Sequence, residues 1–218
     1  MSRPLLIALE GKAPQAWRNG GGSTRELYAW PAGPHWRWRV SVAEITQDGP
    51  FSAFEGVDRW FAVIHGAGVR LSLPGATELD LHSNSAPLPF AGEAAPGCRL
   101  INGATQDLNL MSRRDAGRSA MRRAAAGTAW VSAAPLRALF TAEALSLKIN
   151  GQAPLAVAAG TLAISPQAAH ERWQVQVQAL VQAQSQVPPQ LPPQLPSDAV
   201  PLQAWWLDFL PAAAGSRT

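Results

Sequence analysis

The sequence predicts an all-β protein, built either as one large sheet unit or as two small barrels fused in one chain. Three observations carry that expectation. Apolar and polar residues alternate with period two along most of the chain. Gly and Pro number 18 and 19 among 218 residues while charged residues make up only 15%, a mixture that breaks helices and marks turns. Turn signals recur roughly every 8 to 12 residues, the spacing of sandwiches and barrels. With 47% apolar residues and nine tryptophans, core material is ample.

In chain order, "WRNGGGSTRELYAWP" (17–31) reads as a Gly-rich turn entering a strand, with Thr24 and Glu26 on one face and Arg25 on the other. "WRWRVSVAEI" (36–45) places Trp36, Trp38, Val40 and Val42 opposite Arg37, Arg39, Ser41 and Ala43. "WFAVIHGAGVRLSL" (60–73) is two strands about a Gly-Ala-Gly turn, and "TELDLH" (77–82) alternates again. In "DLNLMSRR" (107–114), Leu108 and Leu110 oppose Asp107, Asn109, Met111 and Arg113. "RSAMRRAAAG" (118–127) lacks an apolar stripe and fits either a helix or a strand with a loop. "LFTAEALSLKING" (139–151) ends in an Asn-Gly turn, and "GTLAIS" and "WQVQVQALVQ" are strand-like. The Pro-rich stretch 185–201 cannot donate regular ladder hydrogen bonds and is expected to be an extended, overgrown loop. "LQAWWLDFL" (202–210) is then expected to pair back against "WQVQVQALV". A weak internal duplication, "VIHGAGVRLSLPGATELDL" against "LFTAEALSLKINGQAPLAVAAGTLAIS", favours two similar barrels.

Composition narrows the function classes. A net charge of +3 with dispersed arginines is no nucleic-acid footprint. One cysteine, Cys98, excludes an intrachain disulfide and fits a reducing compartment. The apolar run Leu5 to Leu9 is too short for a signal peptide and no stretch suffices to span a bilayer, so a soluble cytoplasmic protein is expected. The four histidines, His35, His65, His82 and His170, have no shared ligand spacing, so neither metal nor cofactor is expected. No nucleophile elbow is present, and "NGGGSTRE" lacks the Lys and the following helix of a phosphate loop. The polar faces remain as the lead. Arg37, Arg39 and Ser41 on one strand, and Asp107, Asn109 and Arg113 on another, either meet inside a barrel or form the wet faces of a sandwich.

Four segments resemble the HutD/Ves family: the Trp-x-Asn-Gly-Gly-Gly-x-Thr-x-Glu start, the Trp-Arg-x-Ser-x-Ala strand, the Gly-Pro-Phe-Ser-x-Phe-x-Gly-x-Asp-Arg block and the Asp-x-Asn-x-Met-x-Arg segment. They occur in the family's order and cover about residues 5–165. The resemblance implies a cupin-like (RmlC-like jelly-roll) bicupin, with barrels over 1–115 and 116–218. It also implies an association with histidine utilisation and a regulatory or small-molecule-binding role. On that basis Arg39, Ser41, Arg59, Asn109 and Arg113 are expected to line a pocket for a small carboxylate such as formylglutamate, with Asn19, Thr24 and Glu26 at its rim. Paired arginines suit carboxylates because the planar fork makes two parallel charge-assisted hydrogen bonds. A structural ion-pair network among Asp58, Arg59, Asp107 and Arg113 competes with that reading. The alternatives in function are a metal-free enzyme with Glu26 or Asp107 as base, or an interaction protein using its Trp-rich or Pro-rich surface. Dimers through paired sheet edges are the expectation for assembly, with neither nucleic acid nor membrane as partner.

Overall fold

A strand whose two faces are both apolar needs a packed layer on each side, and several strands of this chain are of that kind. The computed structural model describes residues 3–75, 77–177 and 202–213. The first strand is β1 (Leu5–Ala8). Ten more follow to residue 113: β2 (Gln15–Ala16), β3 (Gly22–Trp30), β4 (Trp38–Ile45), β5 (Gly49–Pro50), β6 (Val57–His65), β7 (Val69–Ser72), β8 (Leu79–Leu81), β9 (Leu88–Ala91), β10 (Gly97–Leu100) and β11 (Thr105–Arg113). The remainder holds β12 (Gly117–Arg123), β13 (Ala129–Val131), β14 (Leu136–Thr141), β15 (Leu145–Ile149), β16 (Leu155–Val157), β17 (Thr161–Ser165), β18 (Arg172–Val177) and β19 (Ala204–Pro211). A single 3-10 turn, Gly92–Ala94, interrupts them among the described residues.

These strands form four antiparallel sheets, two per barrel, in a cupin-like double barrel. The first barrel pairs β2-β3-β4-β11-β6-β9 with β5-β10-β7-β8. The second pairs β1-β17-β14-β19-β12 with β13-β18-β15-β16. The two halves correspond strand for strand: β4-β11-β6-β9 runs as β12-β19-β14-β17, and β5-β10-β7-β8 as β13-β18-β15-β16. The segments that resemble each other in sequence therefore occupy equivalent places. One strand crosses over: β1, from the N-terminus, completes the sheet of the C-terminal half by pairing with β17.

Three apolar clusters follow from the alternation. Val40, Val42, Leu108 and Leu110 of the first barrel meet Ala138, Phe140, Leu162, Trp205 and Leu207 of the second in a core between the barrels. The opposite faces point inward, giving one interior with Ile45, Phe61, Val63, Leu71 and Cys98. The other interior holds Leu139, Leu147, Ala163, Trp173 and Trp206.

This layering corrects one pairing expected from sequence. β19 does not form a hairpin with β18; it lies between β12 and β14, while β18 lies between β13 and β15. Trp205 and Trp206 point to different cores and are both buried, so β19 must sit centrally. β18 carries half-exposed Gln174 and Gln176 on one face and fits an outer wall. The Pro-rich stretch 185–201 lies outside the described residues. The segment "RSAMRRAAAG" resolves as strand, with Met121 in the core and Arg118 and Arg122 facing out.

Candidate functional site

The glycine run builds one corner of the first barrel. Asn19 Oδ1 accepts a hydrogen bond from Gly21 N at 3.1 Å, and Gly20 takes a positive φ of 71°. Gly21 O accepts from Thr46 N at 2.9 Å. A Cβ on Gly22 would lie 2.2 Å from Glu44 O and 3.2 Å from the Trp17 ring, so only glycine lets β3 close on β4 here. Trp17 Nε1 then donates to Thr24 Oγ1 at 2.8 Å, standing the indole up as a wall.

Antiparallel register sets the polar side chains in rows across the inner face. Arg39, Met111 and Arg59 stand opposite one another on β4, β11 and β6; Ser41, Asn109 and Phe61 form the next row; Ala43, Asp107 and Val63 the one beyond. Arg39 and Arg59 are thus separated by two strand spacings, roughly 10 Å between backbones. They border a cavity of about 660 Å³, whose lining also includes Trp17, Asn19, Thr24 and Phe54. That volume lies within the range of small-molecule sites.

Arg59 is the most deeply buried cation in the lining of this cavity. It is only 7% exposed. Its Nη2 donates to Asn109 Oδ1 at 2.9 Å and its Nη1 to Ser52 O at 3.4 Å, while Nε is buried without a partner. The guanidinium stands 5.0–5.5 Å from the ring centres of Phe51, Phe54 and Phe90. No Asp or Glu among the described residues forms an ion pair with it. Burial first, and then the neighbouring Arg39, pull its pKa down to about 10, which still leaves it charged at neutral pH. Arg39 Nε donates to Glu26 Oε2 at 2.7 Å, and Arg39 also lines the cavity.

Of the residues expected from sequence, Asn19, Thr24, Arg39, Ser41, Arg59 and Asn109 border this one cavity. Glu26 reaches it only through Arg39. Arg113 stands apart: it ends β11 beyond the row of Met111, is exposed, and approaches Asp115 at 3.4 Å. Asp107 faces inward one row deeper than Asn109, is fully buried, and does not line the cavity. Thr105 Oγ1 donates to its Oδ2 at 2.8 Å and Oδ1 has no partner. Burial pushes this carboxyl up to about 8, so it is largely protonated at neutral pH. The network imagined among Asp58, Arg59, Asp107 and Arg113 is not formed. Asp58 instead pairs with Arg114 at 2.7 Å. Sequence reasoning missed Arg18, Phe51, Ser52 and Phe54 as lining residues. The available signal was the run of aromatics immediately before Asp58-Arg59. Among the described residues no group of three or more His, Cys, Asp or Glu could hold a metal ion, and no helix is long and apolar enough to cross a membrane.

The HutD family model matches residues 10–184. The chain belongs to the HutD family. Two solved structures share the fold over nearly their whole length. HutD from Pseudomonas fluorescens SBW25, in a formate condition, is 22% identical, with 96% of this chain and 99% of that one covered and a TM-score of 0.75. A conserved protein of unknown function from Pseudomonas aeruginosa PAO1 gives 23%, 96%, 99% and 0.75. Among curated relatives, an uncharacterized 21.2 kDa protein in the hutC 3′ region of Pseudomonas putida is 34% identical over 113 residues, 51% of this chain and 59% of its own length. Protein Ves of Citrobacter koseri is 40% identical over 101 residues, covering 45% of this chain. The chain spans only about half to three-fifths of the length of these curated HutD/Ves relatives.

Proposed function

We propose that this HutD-family chain binds a small carboxylate in the first barrel's cavity, without catalysing its conversion, and serves a regulatory role in histidine utilisation or a related stress or metabolic response. One observation carries the reading. Arg59 is a buried cation with neutral hydrogen-bond partners, an orphan Nε and no ion-paired carboxylate among the described residues. A buried charge is costly unless paired, and an incoming anion supplies the missing partner. Arg39 faces the same space from two strands away, so a ligand with two carboxylates, such as formylglutamate, can engage both forks. Ser41 and Asn109 offer neutral donors and acceptors between them.

The second barrel supplies an internal contrast. On its corresponding strand, β14, Arg137 is also buried among aromatics, 4.8 and 5.2 Å from the Trp130 and Trp173 rings. Its Nη2 donates to Glu171 O at 2.7 Å, while Nε and Nη1 have no partner among the described residues. The charges of Glu171 and of Asp208, opposite it on β19, offset part of the burial effect without forming an ion pair among the described residues. Tryptophans fill that interior. The first barrel has an open space beside its buried arginine where the second has indoles.

Isothermal titration with formylglutamate, urocanate and glutamate tests the reading. Saturable binding of at least one of these acids is expected, weakened in Arg39→Ala. If none binds at millimolar concentration, the proposal fails; if a bound acid turns over, the non-catalytic part fails.

A further inference from the structure

The wall of the cavity that touches Arg59 is a loop, residues 51–56, and something must hold it. Phe51 and Phe54 stack on the Arg59 guanidinium and Ser52 O accepts from it. Most of the loop has no ladder of its own. Phe51 N donates to Pro96 O at 2.9 Å, and the loop's other backbone hydrogen bonds run to the 3-10 turn and to the residue after β11. Phe54 N donates to Gly92 O at 3.0 Å, and Gly56 N donates to Glu93 Oε1 at 2.7 Å. Arg114 N donates to Gly56 O at 2.9 Å. The Arg114 side chain ties these together: Nε to Asp58 Oδ1 at 2.7 Å, Nη2 to Glu93 Oε2 at 2.5 Å, and Nη2 to Val57 O at 3.1 Å. Gly92 packs so tightly under the loop that a Cβ there would lie 2.5 Å from Phe54 O.

We infer that Arg114 is a positioning residue: its forked contacts to Asp58, Glu93 and Val57 clamp the 51–56 loop against Arg59 and so set the affinity of the cavity for carboxylates. Arg114 itself does not border the cavity. An isolated surface ion pair contributes little, but a fork that closes on two acids and a carbonyl is the geometry in which such contacts hold a segment. Lysine cannot reproduce it, because a single ammonium lacks the planar fork. The inference rests on the carboxylate-binding reading for its consequence, not for the clamp itself.

Two measurements on the full chain separate the clamp from the binding reading. The first is amide hydrogen exchange at Phe54 and Gly56 without ligand, in wild type, Arg114→Gln and Arg114→Lys. Both variants are expected to speed exchange at these two amides by about tenfold or more, while Leu147 and Val175 of the second barrel stay as protected as in wild type. Unchanged exchange at Phe54 and Gly56 in Arg114→Gln overturns the clamp, as does full protection in Arg114→Lys. The second is titration with N-formyl-L-glutamate, expected to show an affinity about 5- to 50-fold weaker in Arg114→Gln. Faster exchange with unaltered affinity overturns the positioning role. A wild-type protein that binds no carboxylate overturns the cavity reading and, with it, the claim that Arg114 sets an affinity, while the exchange data still decide the clamp.

Discussion

At the scale of single residues, two buried ionisable groups of the first barrel, Arg59 and Asp107, make opposite predictions. Replacing Arg59 with Gln removes a charge that has no acid partner among the described residues, so the empty protein should melt no earlier than wild type. A hydrogen bond to a charged group contributes roughly 1.5–3 kcal/mol, so carboxylate affinity should fall by about 10- to 150-fold. Calorimetric titration beside a thermal melt reads both. Asp107 predicts a pH effect instead. Its folded pKa is raised to about 8, mainly by burial, so between the ordinary carboxylate range and pH 8 the unfolded chain has released a proton that the folded chain keeps. Stability conferred by that group is therefore full at low pH, declines as pH rises through this window, and levels off above it. Asp107→Asn should flatten the decline, gaining on the order of 5 kcal/mol at pH 8 and little at pH 4; denaturant titrations at the two pH values measure it. A variant whose stability follows the wild-type pH curve would show Asp107 to be ionised in the fold.

At the scale of elements, the glycine run separates two reasons for glycine. Gly20 has a positive φ but no atom within 4 Å of its missing Cβ, whereas Gly22 has ordinary φ and a carbonyl 2.2 Å away. Gly20→Ala should therefore cost about 1 kcal/mol, the ordinary left-handed penalty. Gly22→Ala should cost more, on the order of 3 kcal/mol, because β3 must part from β4 and take Trp17 with it; chemical denaturation of the pair gives the difference. The alternation of Arg39 and Ser41 against Trp38 and Val40 was legible as a strand with two unlike faces. Which face met solvent was not legible, since a second barrel that covers the apolar side is a property of distant sequence. Arg113 and Arg114 show the same limit. Period two assigned Arg113 to the inner face, but the strand ends there, and a residue beyond the barrel rim gains nothing from parity. Its neighbour, with no place in the alternation, makes the contacts.

At the scale of the whole molecule, the strand-for-strand correspondence of the barrels was foreshadowed by the faint repeat around the Gly-Ala-Gly and Asn-Gly turns. The central position of β19 was not, because adjacency in sequence suggested a hairpin and only the burial of both its faces demands otherwise. The division between an open and a filled barrel predicts one carboxylate bound per chain. It also predicts that Arg137→Met lowers the melting temperature, by leaving buried Asp208 without its neighbouring charge, while carboxylate affinity stays at the wild-type value. Stoichiometry from titration and a melting curve of the variant check the two halves of that statement.

The crossing of β1 has a consequence in time. Leu5 pairs with Ile164, so during synthesis the first strand waits for a partner 159 residues later. At 5–20 residues per second that wait is about 8–30 s. Once β11 has been made the first barrel can close, while Leu5 and Leu6, still 58% and 39% exposed in the finished fold, sit on a strand with neither edge satisfied. A ribosome stalled between the two barrels would therefore carry a finished cavity and an unpaired apolar strand, the kind of segment on which chaperones act.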